Sequence, residues 1–535
     1  MYHFSKAIKS FKKWRLVLVL FLLFYTAILF IDLDFYSIQW DEPPHLHGGF
    51  LLGTGQFEEY IETEAFYPPM FDIITGFFFH LFGPSIFTAR LVALIFGVLT
   101  IWVVFEIANR MYGTKTALIS SLLLSTMPGF FWLSRMAMLE TMLMFFFSFS
   151  LLLFYSWIRS NNIITLIFAS LTLGIGFLVK YQSIVIVIIM IPVLIFLSKK
   201  KIQNKIGTIL LIILITIAIS SPWFISIYEK FSSEILETWF YSLQMGSESR
   251  LVYSTRFPWP IFYLIEMVWP FPNIHPISIF VYILTLFGLF FLMVRRKLED
   301  KFLLIGFFVV YSFFTLISSK DWRYITIIFP ILAISGSVLV TSIFGMAKKR
   351  INSPKISFSK KRFYKVLTTI FILLAIFSVV YSICDTFLWL ESEHFNYPVR
   401  EACQYVAENS TIDETAVAFF PTNYFSFGMM RFFLEIYDSG QRRLLQYPEN
   451  AVDVFKPLPN DERFFISLYI LIQRFELMNV KYLLLIEWET KLYFELYYDS
   501  SDVLENLIAT GRFTLETEFG NFPHRMFIIR YLGNS

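Results

Sequence analysis

Gln39-Trp40-Asp41-Glu42-Pro43-Pro44-His45-Leu46-His47-Gly48-Gly49 is the stretch whose reading decides the fold. It follows directly on the first apolar run of a chain in which 56% of the 535 residues are hydrophobic and 16% are charged. A soluble chain of this length needs more charge to cover its surface. Mean hydropathy is +0.62, so the class is a polytopic membrane protein. Two adjacent carboxylates and two histidines therefore stand where the chain leaves a membrane. Polar groups crowded at such a point need a functional reason.

Working outward, apolar runs long enough to cross a bilayer, about 17–25 residues, fall at 16–31, 86–109, 116–133, 137–157, 162–179, 182–198, 206–225, 275–294, 302–318, 324–346 and 364–386. The first is preceded by Lys6, Lys9, Lys12, Lys13 and Arg15, like the basic region of a signal peptide. Its apolar part is too long for one, and no small-residue cleavage site follows, so it reads as an anchor. The expected architecture is mainly α: a membrane helical bundle of about eleven spans over 1–388, then a small extracytoplasmic α/β domain over 389–535.

Lys and Arg in the loops orient the bundle. With the N-terminus in the cytoplasm, cytoplasmic segments carry 24 of them and the outer loops up to residue 386 carry eight. Loop 32–85 has none. Asp41, Glu42 and the C-terminal region are thus expected outside, in a multi-pass plasma-membrane protein. Within the outer segment 228–273, Arg256-Phe257-Pro258-Trp259-Pro260 and Trp269-Pro270-Phe271-Pro272 suit interfacial or re-entrant pieces. So do the short apolar pieces of 32–85, such as Phe71 to Leu81.

Beyond about 390, charge returns and apolar runs shorten. Pro398–Asn409 reads as an amphipathic helix, and Ala416–Phe420, Val480–Ile486, Arg512–Glu518 and Met526–Tyr531 read as strands. Cys384 and Cys403 exclude a disulfide-rich scaffold, although the two could pair outside. Asn409-Ser410-Thr411 is a glycosylation triplet of a kind frequent by chance.

An enzyme facing outward has no nucleotide sugars, so its donor must be activated and carried by the membrane. A polyprenyl-phosphate sugar meets both needs. Such a site requires cations for the phosphate and a carboxylate to deprotonate an acceptor hydroxyl. Ionisable residues at membrane depth are candidates for these roles. Arg135 stands in Leu133-Ser134-Arg135-Met136-Ala137-Met138-Leu139-Glu140, Lys180 ends the fifth run, and Arg323 opens the tenth in Ser319-Lys320-Asp321-Trp322-Arg323-Tyr324. Each has a bland alternative. Lys180 could snorkel to the headgroups, Arg323 could pair with Asp321, and Glu140 could answer Arg135. Asp41-Glu42 could cap an interfacial helix ahead of Pro43. His45 and His47, at i and i+2, do not share a helix face. A polar lining suits them better than metal ligation, though they are the candidates if a divalent metal is used.

With these residues in place, the chain resembles the GT-C superfamily of integral-membrane glycosyltransferases, in particular the protein O-mannosyltransferases and the bacterial aminoarabinose (lipid A) transferases. The likeness covers about residues 10–345. It rests on Asp41-Glu42, Tyr67-Pro68-Pro69, Leu81-Phe82-Gly83, Ala89-Arg90-Leu91, Ser134-Arg135 with Glu140, Gly176 to Lys180, and Arg323-Tyr324 with Pro330. Their order together with the topology carries it. The resemblance implies inverting transfer from a polyprenyl- or dolichyl-phosphate sugar to a glycan, lipid or protein acceptor. It implies Asp41 as base, beside Glu42, and Arg135, Glu140, Lys180, Lys320, Arg323, Tyr324, Tyr67 and Arg90 around the lipid phosphate and sugar. Some relatives bind a divalent metal and others need none, so a divalent metal stays an open expectation. Glu140 stands where relatives usually carry Asp. No Trp-Trp-Asp-Tyr-Gly run occurs, which argues against an oligosaccharyltransferase. A transporter or flippase of lipid-linked sugars is the alternative from another class, but repeated halves and discontinuous helices near the midplane are not seen, and the ionisable residues cluster at one face. An inactive transferase fold that only binds acceptors is a third, opposed by the intact Asp41.

Overall fold

The computed structural model describes residues 2–34, 38, 41–64, 67–198, 201–234, 236–237, 253–269, 275–354, 356–392, 396–419, 425–438, 442–447, 472–487, 489–491 and 497–533. The chain divides into two compact units. The first takes Met1–Leu33, Gly55–Ile74 and Arg90–Ser392; the second takes Asp34–Thr54, Thr75–Ala89 and Glu393–Ser535.

The first unit is helical. Ile86–Tyr112, Glu140–Ser160, Gln203–Phe231, Trp322–Ile351 and Phe358–Leu388 are long and apolar enough to cross a membrane. Trp14–Phe30, Ile163–Val179, Tyr181–Phe196 and Ile279–Arg295 are shorter apolar helices of this unit, and Met70–Phe82 runs on into the second from Thr75. One expected span is not continuous. The run 116–133 is two helices, Thr114–Ser125 and Pro128–Leu133. Proline has no N–H to continue a helix and disfavours helical backbone in the residue before it. Met127 is accordingly extended, and Pro128 opens the second piece. Two further runs begin with 3-10 turns, Tyr181–Ile184 and Trp322–Ile328.

Phe329–Ile351 is the central helix, packed on Ile279–Arg295 and Thr114–Ser125. It can approach closely because its contact face is small. A Cβ on Gly288 would lie 2.4 Å from the Ser335 carbonyl carbon, so the two backbones touch. Ser335 Oγ donates to the Thr285 carbonyl at 3.1 Å, and the Ser120 and Ser337 hydroxyls meet at 2.6 Å. In the window through Trp322–Ile351, 72% of residues are buried; in that of Phe358–Leu388, 11% are. The latter helix therefore presents most of its apolar side chains outward.

The second unit contains a five-stranded sheet in the order β2-β1-β3-β7-β6 and a separate β4–β5 hairpin. Its strands are β1 Thr415–Phe419, β2 Leu444–Tyr447, β3 Val480–Ile486, β4 Glu489–Lys491, β5 Tyr497–Asp499, β6 Phe513–Phe519 and β7 Met526–Tyr531. β1 lies parallel to β2 and β3, and β7 pairs antiparallel with β3 and β6. Every residue of β1 is buried, as a central parallel strand demands. Val417, Phe419, Leu483, Leu485, Phe527 and Ile529 form the core with Leu507 and Phe513. Helix Val399–Asn409 buries Val399, Ala402, Cys403 and Val406, one helical face. The two cysteines do not pair. Both are free, Cys384 exposed on a long helix and Cys403 buried under this face.

Candidate active site

In the first unit, the ends of helices gather the charges. Helix Ile163–Val179 stops at Lys180, whose backbone is extended, and the chain turns into Tyr181–Ile184. Lys180 Nζ donates to Glu140 Oε1 at 2.9 Å and lies 5.6 Å from the centre of the Tyr324 ring. Glu140 is buried and opens helix Glu140–Ser160. It answers Lys180, not the Arg135 that the sequence suggested.

Arg323, beside Tyr324, forms a fork with Asp321: Nε to Oδ1 at 3.2 Å and Nη2 to Oδ2 at 2.9 Å. Asp321 also accepts the Arg323 backbone N–H at 2.9 Å and so caps the 3-10 turn. The bland reading of Arg323 is thus realised, with the pair still largely sheltered from solvent. Lys320 is 3% exposed. Its ammonium donates to the Thr315 carbonyl at 2.8 Å and to that of Ile317, stopping helix Leu298–Leu316 at its negative end. Burial pushes the Lys320 ammonium below the usual lysine value.

Arg135 and Arg90 serve the first helix. Arg135 donates to the carbonyls of Leu29 and Asp32, both at 3.1 Å, and Arg90 donates to that of Leu33 at 3.0 Å. Cations on orphan carbonyls complete a helix C-terminus. Both side chains are buried, which explains charge at this depth without a ligand. Tyr67 is half-buried, in the turn before Met70–Phe82.

Sequence reading passed over a second polar group in this unit. Tyr60 Oη donates to Asp72 Oδ2 at 2.9 Å, and its ring is 6.0 Å from that of Trp223. Trp223 Nε1 in turn donates to Tyr181 Oη at 3.3 Å, next to Lys180. Asp72, alone among Met70-Phe71 and Ile73-Ile74, was the available signal.

In the second unit, Asp41 and Glu42 lead into helix Pro43–Gly53. Asp41 is half-buried and Glu42 fully buried. The Glu42 carbonyl accepts His45 N–H and Leu46 N–H at 3.0 Å, while its side chain makes no capping bond to the helix. Pro43 and Pro44 have no N–H to engage a carboxylate, so this helix end does not consume the Glu42 side chain. His45 and His47 are both buried, and His47 Nε2 lies 2.9 Å from Glu435 Oε2. Among the described residues no three His, Cys, Asp or Glu side chains gather as metal ligands.

Residues 67–225 match the family model described as dolichyl-phosphate-mannose-protein mannosyltransferase. ArnT from Cupriavidus metallidurans, solved bound to undecaprenyl phosphate, superposes with a TM-score of 0.65 at 14% identity, over 98% of this chain and 99% of that one. The chain shares the fold of that protein. Its apo ArnT counterpart gives a TM-score of 0.63 at 15% identity, over 98% and 100% of the two chains. The likeness in fold extends to the archaeal oligosaccharyltransferase AglB from Archaeoglobus fulgidus, solved with an inhibitory peptide and a dolichol-phosphate. There the TM-score is 0.55 at 13% identity, over 88% of this chain and 69% of that one. No curated protein sequence matches the chain.

Proposed function

We propose that the protein is a membrane glycosyltransferase. It moves a sugar from a polyprenyl- or dolichyl-phosphate carrier to a hydroxyl acceptor on the extracytoplasmic side, with inversion. One observation carries the reading: Lys180 and Arg323, with Tyr324, stand together at helix ends of the first unit, each cation held by one carboxylate. The full-length likeness to a protein solved with undecaprenyl phosphate supports a phosphate at such cations.

Asp41 takes the proton of the acceptor hydroxyl. The oxygen attacks the anomeric carbon opposite the phosphate, the bond from that carbon to the phosphate oxygen breaks, and polyprenyl phosphate leaves with both electrons. The donor is a phosphodiester with one negative charge, and the product a monoester that gains a second. Cations at the phosphate therefore bind the transition state more tightly than the donor, which is what acceleration requires. Lys180 and Arg323 supply that charge, with Tyr324, Tyr67 and Glu140 as lining, while Lys320 caps the end of helix Leu298–Leu316. Arg135 and Arg90 hold the first helix in register for it.

Incubating the purified protein with a panel of polyprenyl-phosphate sugars and hydroxyl acceptors tests this. Free polyprenyl phosphate should appear in step with glycosylated acceptor. Donor binding without turnover across the panel would favour a lipid-linked sugar carrier instead.

A further inference from the structure

We propose that Glu435 is a positioning residue for sugar transfer: through His47 it sets the helix whose N-terminal end bears Asp41 and Glu42. The inference rests on the reading of Asp41 as base and asks what holds that base in place.

Nearly four hundred residues separate the two in sequence, yet Asp34–Thr54 and Glu393–Ser535 belong to one compact unit. Helix Pro43–Gly53 lies on helix Phe427–Asp438. A Cβ on Gly428 would come within 2.9 Å of the Pro43 side chain, so the two helices meet closely at the very start of the first. The surroundings are apolar. Met429, Met430, Phe432, Phe433 and Leu434 are buried, and the Phe432 ring is 6.1 Å from that of Phe79. Into this contact the chain places a carboxylate and an imidazole.

The geometry of Glu435 is that of an aimed group. Arg431 Nε donates to Oε1 at 2.6 Å, one turn back on the same helix. That bond fixes one oxygen of the carboxylate and leaves Oε2 2.9 Å from His47 Nε2, an ion-pair contact without the alignment of a hydrogen bond. Burial raises the Glu435 pKa, but His47 and Arg431 outweigh it and hold the carboxylate below its ordinary range. A buried pair is weak ground for stability, since apolar side chains of similar volume often do as well or better. What the pair adds is orientation. His47 stands five residues beyond Glu42, roughly 7.5 Å along the helix axis. A rotation or slide of this helix moves both carboxylates with it.

The test compares Glu435→Gln, His47→Gln and the double variant in the full-length protein, with Asp41→Asn alongside. Three quantities are read: single-turnover rate at saturating donor, equilibrium binding of an undecaprenyl-phosphate sugar, and amide exchange over Pro43–Gly53. Either single variant should lose roughly tenfold to a hundredfold in rate, the cost of small misplacements at a reacting centre. Donor binding should stay within a few-fold, and exchange should rise in Pro43–Gly53. The double variant should lose no more than the worse single one, because both remove one contact. Glu435→Asp, which keeps the charge, should recover part of the rate. Wild-type rate in Glu435→Gln, additive losses, or unchanged exchange in that helix overturns the proposal. Should Glu435→Gln bind no donor because it fails to fold, His47→Gln decides alone by the same readouts. Transfer that persists in Asp41→Asn removes the base assignment instead, and the exchange of Pro43–Gly53 still decides whether Glu435 holds the helix.

Discussion

Lys180 Nζ stands 2.9 Å from Glu140 Oε1, an ion pair of a half-buried lysine with a buried carboxylate, between two helix ends forty residues apart in sequence. Glu140 neutralises the ammonium in the absence of donor and leaves it hydrogen-bonded and aimed. A phosphate arriving here shares the lysine with a carboxylate, so the pair tempers donor affinity while its field still favours the charge that develops as the phosphate leaves.

The pair separates two effects of one substitution. Lys180→Met should weaken donor binding at least about tenfold, since a hydrogen bond to a charged group is worth about 1.5–3 kcal/mol. It also strands Glu140, and breaking a buried pair from one side costs on the order of 3–5 kcal/mol of stability. Lys180→Met with Glu140→Leu should recover the stability but not the affinity. Arg323→Met should weaken the donor similarly. Thermal melts and donor titration of all four proteins check this; unchanged donor constants in both lysine variants and in Arg323→Met would move the phosphate elsewhere.

Helical spans were legible in the sequence because burial in lipid needs only unbroken apolar length. The break at Met127-Pro128 was legible too, in the proline, but the apolar run through it hid the signal. Partners were not legible. The five-residue spacing of Arg135 and Glu140 suggested a local pair, whereas Glu140 turns to a lysine on another helix and Arg135 to the carbonyls of the first. β2 was missed because Leu444–Tyr447 is four half-buried residues held by a parallel partner distant in sequence, a non-local contact. For the same reason, the grouping of Asp34–Thr54 with the C-terminal part could not be read from composition.

Topology can be tested where side chains are reachable. The excess of Lys and Arg in one set of loops places Glu58 outside and Lys360 inside. Both positions are exposed. In a background lacking Cys384 and Cys403, cysteine at position 58 should react with an impermeant reagent added to intact cells. Cysteine at position 360 should react only after permeabilisation. The opposite pattern would put the Asp41 loop in the cytoplasm and sink the choice of a lipid-linked donor.

Acid should probe the Glu435 contact. Its folded pKa lies below the ordinary 4.5 because His47 and Arg431 outweigh the cost of burial. The ionised carboxylate therefore stabilises the fold above that ordinary value, and the contribution disappears as pH falls through the lowered folded value. Melting temperatures of the wild type and Glu435→Gln should differ most near neutrality and converge below about pH 4. A constant difference across that range would mean that the carboxylate is not held ionised by its neighbours.

Asp41→Asn is the decisive substitution. A general base must be ionised and within hydrogen-bond reach of the hydroxyl it deprotonates. Asp41 is half-buried just ahead of helix Pro43–Gly53. Glu42 is its neighbour, but it is fully buried where Asp41 is not, so Asp41 is the better placed for an acceptor arriving from solvent. Asparagine keeps the size and one acceptor oxygen while losing the basicity. Transfer should fall by at least about a hundredfold, the lower end of general-base contributions. Donor affinity should stay within a few-fold, since other residues hold the phosphate. Glu42→Gln should do less harm. Single-turnover transfer beside equilibrium donor binding reads all of this; full transfer by Asp41→Asn would pass the role of base to Glu42 or Glu140.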